Sequence, residues 1–405
     1  MIATATATAS GRPVSRPRVV TALGITQILA WGSTYYLMAV LARPISADTG
    51  WPIAWIVGGL SFGLLVSGLC APRVGRLIQA YGGRPVMSVS SLLLAIGLCL
   101  VGLAPNLPVY FAAWLLVGLG MSCGLYDAAF STLGRYFGKD ARRAITTLTL
   151  FGGFASTLCW PLSAFMVEQI GWRSACFAYA AIQLLVCMPL HLLALPSIDR
   201  PAALAAGQSK AHVLAPAQRP LFLLLAATSV LCGLINSMIA VHLLTILQLR
   251  GAELAAAVAL GALVGPAQVG ARVIEMVVGK RHHPLWTMLT AVTLMTVALV
   301  LLWSALPVTA LALLIYGAGI GIFSIARGSV PLALFAESQY AAVMGKLAFP
   351  SLIVQAAAPS LGGILLDRFD PATLLALLGL SAATTVVLVL AIVRRTGRKA
   401  LTRTG

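Results

Sequence analysis

The chain of 405 residues is 60% hydrophobic and only 9% charged, with mean hydropathy +0.97 and a formal net charge of +17. Soluble domains carry about 25% charged residues, so the composition excludes a water-soluble globular protein. Long unbroken apolar runs also exclude a β-barrel, whose strands alternate polar and apolar residues over ~10-residue segments. What remains is an all-α integral membrane protein.

In chain order, residues 1–18 hold an Ala/Thr repeat followed by Arg12, Arg16 and Arg18, and read as a cytoplasmic N-terminal tail. No short apolar core with a cleavage site precedes the first apolar run, so no removable signal peptide is expected. Twelve spans of roughly twenty residues follow: 19–41, 52–71, 85–104, 108–133, 144–168, 173–195, 220–249, 254–278, 285–304, 308–333, 341–365 and 372–393. The longest polar break, PSIDRPAALAAGQSKAHVLAPAQR at 196–219, separates a six-helix bundle over 19–195 from another over 220–393. Residues 394–405 form a basic tail.

Charge placement gives the orientation. The loops on one side hold only Arg43, Arg173, Arg250 and Arg368, and Arg272 and Arg327 lie inside spans. All the rest of the 27 Lys and Arg fall before span 1, after even-numbered spans, near Lys346 or in the two polar tails and central loop. By the positive-inside rule both termini are cytoplasmic. The positive charge therefore faces a membrane rather than nucleic acid, because no basic patch coincides with stacking aromatics. The lipid bilayer is the expected partner, and the chain is expected to act as a monomer in a bacterial-type inner (plasma) membrane.

The seven cysteines are scattered singly with no C-x-x-C pair, and read as small apolar helix residues; a thiolate metal site would need several of them to converge. No phosphate-cradling loop, nucleophile motif or metal-ligand spacing occurs. The chain is therefore not read as an enzyme, no cofactor or metal is expected, and an ion gradient or facilitated diffusion replaces direct ATP drive.

Weak internal symmetry links the halves. Spans 5 and 11 each carry a proline, Pro161 or Pro359, followed by an acid, Glu168 or Asp367. Spans 4 and 10 carry clustered glycines (Gly118, Gly120, Gly124; Gly317, Gly319, Gly321) and then one charge, Asp127 or Arg327. Two pseudo-symmetric six-helix halves around a central loop form a transporter architecture. The glycine pairs Gly59/Gly63 and Gly261/Gly265 place small residues on one helix face, where backbones can pack closely.

The loop GRLIQAYGGR (75–84) resembles the G-x-x-x-D-R/K-x-G-R-R/K loop of the major facilitator superfamily: Gly75, Gly82 and Arg84 match, while Gln79 stands at the acidic position. KDARRAI after span 4 is similar to the family's basic loop. The resemblance covers essentially the whole chain and implies the major facilitator fold and secondary transport. Span 5, LFGGFASTLCWPLSAF, has the glycines and proline of the drug exporters' run without its spacing. RPISADTGWPIAWIVGGLSFGLLVSG (43–68) resembles the span 1–2 region of monocarboxylate and oxalate–formate carriers, through Asp48, Gly50, Trp51 and the span-2 glycines. Those carriers place an aspartate before an arginine in span 8 and a lysine in span 1. Here Arg272 precedes Glu275, and span 1 has no lysine.

Candidate site residues follow from the unexpected polar groups. Gln268, Arg272 and Glu275 lie on one stripe of span 8. Arg272 sits ~27 Å along that span, shallow enough to snorkel, so helix-end anchoring and a gating or solute-binding cation both fit. Asp127 and Arg327 lie at similar depths in spans 4 and 10, which the resemblance places on the central cavity. Intramembrane ionisable groups there read as gating, proton or substrate sites, with a structural pair as the alternative. Gln27, Trp31 and Tyr35 share a stripe of span 1, and Tyr36 follows; Asn236, His242 and Tyr316 complete the set. His282 and His283 read as a solvated loop. The expected function is a secondary active transporter moving a small organic solute by alternating access, coupled to protons. Arg272 and Arg327 favour an organic anion such as a monocarboxylate. Proton-coupled efflux of a drug, metalloid or other toxic compound is the alternative, and a non-transporting receptor of the same fold is the second.

Overall fold

The computed structural model describes residues 15–197, 215–304 and 306–396. The expected tail before residue 15, most of the central loop and the basic tail beyond 396 lie outside the described residues. Every regular element described is helical. In hydrocarbon each backbone N–H and C=O must be satisfied within the chain, and a helix does so by itself.

Among the described residues eleven helical stretches are long and apolar enough to cross a membrane. One of them, Ala141–Ala194, has 54 residues and would reach ~81 Å if straight, more than twice a ~30 Å hydrocarbon core. It is broken at Gly171, whose φ of 78° and ψ of 163° are non-helical. The stretch is thus two spans, 5 and 6, and the total is twelve. Spans 2 and 3 meet at Gly82, where φ is 78°; that left-handed angle is open to glycine and turns the chain directly into the next helix, Gly83–Leu103.

The chain divides into two compact units, Met1–Val213 with Leu334–Phe349, and Leu214–Ala333 with Pro350–Gly405. The long helix Glu337–Arg368 therefore belongs in part to each, with Pro350 at the change. In the first unit this helix packs tightly on span 2. A Cβ at Gly75 would lie 2.3 Å from Ala341 O, and one at Gly345 would lie 2.3 Å from Ala71 O. Val74, Ile78, Val86, Ala128 and Ala341 close a small apolar core beside this contact.

The span 4 and span 10 glycines serve packing in the same way. A Cβ at Gly118 would lie 2.6 Å from Gly63 O in span 2, and one at Gly120 would lie 2.7 Å from Leu94 in span 3. In the second unit Gly317 stands 2.5 Å from Val264 O in span 8, and Gly319 stands 2.8 Å from Met295 in span 9, by the same measure. Gly59 and Gly63 accommodate Trp114, as expected of small-residue pairs. Gly261 and Gly265 do not. Gly265 meets nothing within 4 Å and Gly261 makes only ordinary contacts.

Candidate functional site

In the first unit, the helices that carry the predicted span 1 and span 4 residues are broken. Span 1 runs as Arg16–Gly32 and resumes as Leu37–Thr49. The local cause is Gly32-Ser33-Thr34, where Ser33 and Thr34 turn their hydroxyls back onto Ala30 O at 3.4 and 2.6 Å. Such side-chain bonds compete with the helical ladder. Span 4 ends one helix at Gly124 and starts another at Tyr126, with Leu125 extended at φ −80° and ψ −171°. Span 5 stops at Gly153 and restarts at Ala155. Span 6 loosens into a π turn at Gln183–Cys187.

Side chains tie these irregular segments together. Gln27, fully buried, donates through Nε2 to Gly124 O at 2.5 Å and accepts the Trp31 Nε1–H at 3.2 Å. It thereby satisfies a carbonyl that the span 4 break leaves without an intrahelical partner and fixes the indole. Gln183 donates to Ser33 Oγ at 2.9 Å. Gly152 leaves room for the Tyr126 hydroxyl, which a Cβ there would meet at 1.9 Å. Around them gather the rings. Trp31 stands 5.4 Å from Tyr35, 6.1 Å from Tyr36 and 5.1 Å from Tyr126 between centroids, and Tyr36 stands 5.9 Å from Trp160. Asp127 is half-buried in the first turn of the restarted helix Tyr126–Phe137, where the helix dipole favours its negative charge.

The second unit holds its polar groups differently. Arg272 and Glu275 are both buried on the helix Val264–Val278. Arg272 donates from Nε to Gly321 O at 3.3 Å and from Nη2 to Gln268 Oε1 at 3.3 Å, so all the expected span 8 stripe is in use. Gly321 permits this approach, since a Cβ there would fall 2.5 Å from Gln268 O. Glu275 Oε1 accepts from Thr287 Oγ1 at 2.7 Å and lies 3.5 Å from His282 Nε2, which is itself 3.0 Å from Thr287 Oγ1. The reading of His282 and His283 as a solvated loop is therefore corrected. His283 is buried and its Nδ1 caps Leu285 N–H at 3.2 Å at the start of the helix Pro284–Trp303.

Arg327 is half-buried within the unbroken helix Thr309–Leu334, and Asn236 is half-buried on Arg219–Leu249. Tyr316 is buried with its hydroxyl 3.5 Å from Ile235 O. His242 Nε2 lies 2.9 Å from Pro359 O. Pro359 has no N–H for Gln355 O, and Ser237 Oγ donates to that freed carbonyl at 3.0 Å. In the loop 75–84, Gln79 Oε1 is buried and meets no donor among the described residues. A carboxylate so placed would be a buried unpaired charge, whereas a neutral amide costs less, which is a physical reason for the missing acid.

Several residues escaped the sequence reading. Tyr126 and Trp160 look like packing aromatics in sequence, and Gln183 and Thr287 carry no signal of their own. His191 is buried, its ring nitrogens 3.1 Å from Ser91 Oγ and 3.0 Å from Thr26 Oγ1, joining spans 6, 3 and 1. At the far end of span 1, Asp48 takes hydrogen bonds from Arg173 Nη1 at 2.7 Å and Trp172 Nε1 at 3.1 Å, both delivered by the turn at Gly171. Among the described residues no group of three or more His, Cys, Asp or Glu is placed to hold a metal ion.

The chain resembles known transporters over part of its sequence. Monocarboxylate transporter 11 of Mus musculus is 29% identical over 214 residues, 44% of this chain and 45% of its own. Monocarboxylate transporter 14 of Mus musculus is 32% identical over 168 residues, 38% of this chain and 31% of its own. The matched stretch thus spans less than half the length of either curated relative. The solved human organic anion transporter MFSD10 (TETRAN) superposes with a TM-score of 0.74 at 17% identity, over 93% of this chain and 100% of that one, a likeness of fold. The sequence profile described as Major Facilitator Superfamily matches residues 23–281, well over half the chain. The chain belongs to that superfamily.

Proposed function

We propose that the protein is a secondary transporter for a small organic anion of the monocarboxylate class, working by alternating access and coupled to protons. The observation that carries the anion is Arg327: a half-buried guanidinium about two-thirds of the way along an apolar helix, where an ionisable group facing the cavity is functional by default. Its planar fork suits a carboxylate. Arg272, tied to Gln268 and Gly321 O, acts as a gate or a positioning cation rather than the first solute contact, with Glu275 as its counter-ion. Asp127, half-buried at a helix start, is the proton site. The likeness to monocarboxylate transporters over part of the chain supports the solute class.

The membrane is a bacterial-type inner membrane with both termini cytoplasmic, and the working unit is a monomer. Cysteines placed at Arg84 and Lys346 should react with impermeant thiol reagents from the cytoplasmic side only, and one at Asp48 from outside only. The function itself is tested with purified protein in liposomes: an imposed proton gradient should drive lactate or another carboxylate across. Binding without flux would indicate a receptor, and flux restricted to neutral or cationic toxic compounds would indicate an exporter; either sinks the proposal.

A further inference from the structure

Two of the aromatic groups in the first unit differ in burial. Tyr110 and Trp114 are fully buried, their rings 6.3 Å apart, and the Tyr110 hydroxyl is bonded to Ile56 O at 2.7 Å. That is core packing. Trp31, Tyr35, Tyr36 and Tyr126 are only half-buried, and Trp160 is 45% exposed. Their position is also unlike an interfacial belt, in which Trp and Tyr sit at headgroup level. Trp31 to Tyr36 fall midway along the stretch Arg16–Thr49. They collect where spans 1, 4 and 5 are interrupted, and irregular backbone at membrane depth is tolerated only inside protein or beside a water-filled cavity. Discontinuous spans of this kind are where carriers place solute sites.

The ring geometry narrows the guest. Trp31 meets Tyr35 at 67° and Tyr126 at 51°, and Tyr36 meets Tyr35 at 87° and Trp160 at 89°. Trp31 also meets Tyr36 at 42°, so these rings are inclined to one another, from tilted to edge-on, and none of these pairs is stacked. A cage for a quaternary ammonium needs several electron-rich faces turned to one point. A cluster of mutually inclined rings offers both edges and faces to another aromatic ring, whose own edge and face carry opposite partial charges. The indole is fixed by Gln27 and the Tyr126 hydroxyl is admitted by Gly152, so the surface is held in place before any guest arrives.

We infer that the solute is an aryl carboxylate, an organic acid whose aromatic ring lies against Trp31, Tyr36, Tyr126 and Trp160. The acid part of this inference rests on the proposed carboxylate function; the aryl part rests on the rings alone. A short aliphatic acid such as lactate offers these rings too little surface to cover them.

The experiment compares acids of equal charge on the purified full-length protein: lactate, cyclohexylacetate and phenylacetate. Phenylacetate should bind more tightly than lactate by about tenfold or more, and more tightly than the alicyclic acid of similar size, because each ring pair adds to area burial alone. Trp31→Leu and Tyr126→Leu should lower phenylacetate affinity to that of cyclohexylacetate, while Tyr126→Phe, which keeps the ring, should preserve the preference. Should those variants fail to fold, saturation transfer to bound phenylacetate in the unmodified protein still decides: ring protons should receive more saturation than the methylene. Lactate binding with no competition from phenylacetate would overturn the aryl inference and leave the carboxylate function standing. Binding of neither acid would overturn both. Binding of phenylethylamine in preference to phenylacetate would keep an aromatic site but overturn the aryl acid.

Discussion

Gly118 and Gly120 in the first unit and Gly317 and Gly319 in the second make matching contacts: the first of each pair against the second helix of its half, the second against the third helix. On that shared packing the two units carry opposite chemistry. In the first, four spans give up regular helix at 33–36, 125, 154 and 183–187, and neutral groups such as Gln27 and Gln183 bind the loose ends. In the second, span 10 runs unbroken from Thr309 to Leu334 and span 7 from Arg219 to Leu249, and the buried polar groups include two charged side chains, Arg272 and Glu275. The difference teaches that backbone symmetry and site chemistry are separable. Glycine spacing sets how close helices come, while the groups between them are free to diverge.

The largest effect is expected at Arg327. Arg327→Ala should abolish carboxylate flux, and Arg327→Lys should raise KM while keeping some transport, since it retains the charge but not the fork; flux in liposomes checks both. Full activity in Arg327→Ala would remove the functional distinction between the units.

Next comes the contrast between ionic and neutral anchors. Arg272→Ala leaves buried partners unmatched and should cost about 3–5 kcal/mol of stability, read as a fall in the thermal midpoint in detergent. Gln27→Leu strands one carbonyl and one indole N–H and should cost about 1–3 kcal/mol. Equal losses would mean that burying charge adds nothing to the second unit's sensitivity.

The shared packing is tested by Gly118→Val and Gly317→Val. In each, the nearest atom a Cβ meets is backbone, Gly63 O or Val264 O, which cannot turn aside. Overpacking of ~1–3 kcal/mol is expected at both, and Gly265→Val, in open space, should change the midpoint far less. A large difference between Gly118→Val and Gly317→Val would break the symmetry argument. Gly171→Ala isolates a backbone effect. No atom lies within 4 Å of a Cβ there, so only the backbone conformation, φ 78° with ψ 163°, is penalised, by ~1–3 kcal/mol, visible as a lower thermal midpoint without loss of flux.

Composition and hydropathy were sufficient for the solvent, the helical class and the twelve spans, because a bilayer demands long apolar runs with internal hydrogen bonding. The charge asymmetry of the loops and the glycine clusters were equally legible, being one-dimensional patterns with a direct physical meaning. The Arg272, Glu275 and Gln268 stripe could be read from i, i+3 and i+4 spacing on one helix. What linear order could not carry was convergence between helices. His282 reads as a loop residue until span 9 brings Thr287 beside it and Glu275. Gly261 and Gly265 read as a packing pair until Gly265 proves to have no neighbour within 4 Å of a Cβ among the described residues. Tyr126 and Trp160 read as ordinary apolar aromatics until the fold brings Tyr126 to Trp31 and Trp160 to Tyr36. The break in span 1 comes from short-range competition, Ser33 and Thr34 taking the Ala30 carbonyl, and tertiary partners such as Gln27 and Gln183, bonded to Gly124 O and Ser33 Oγ, help to hold the interrupted backbone.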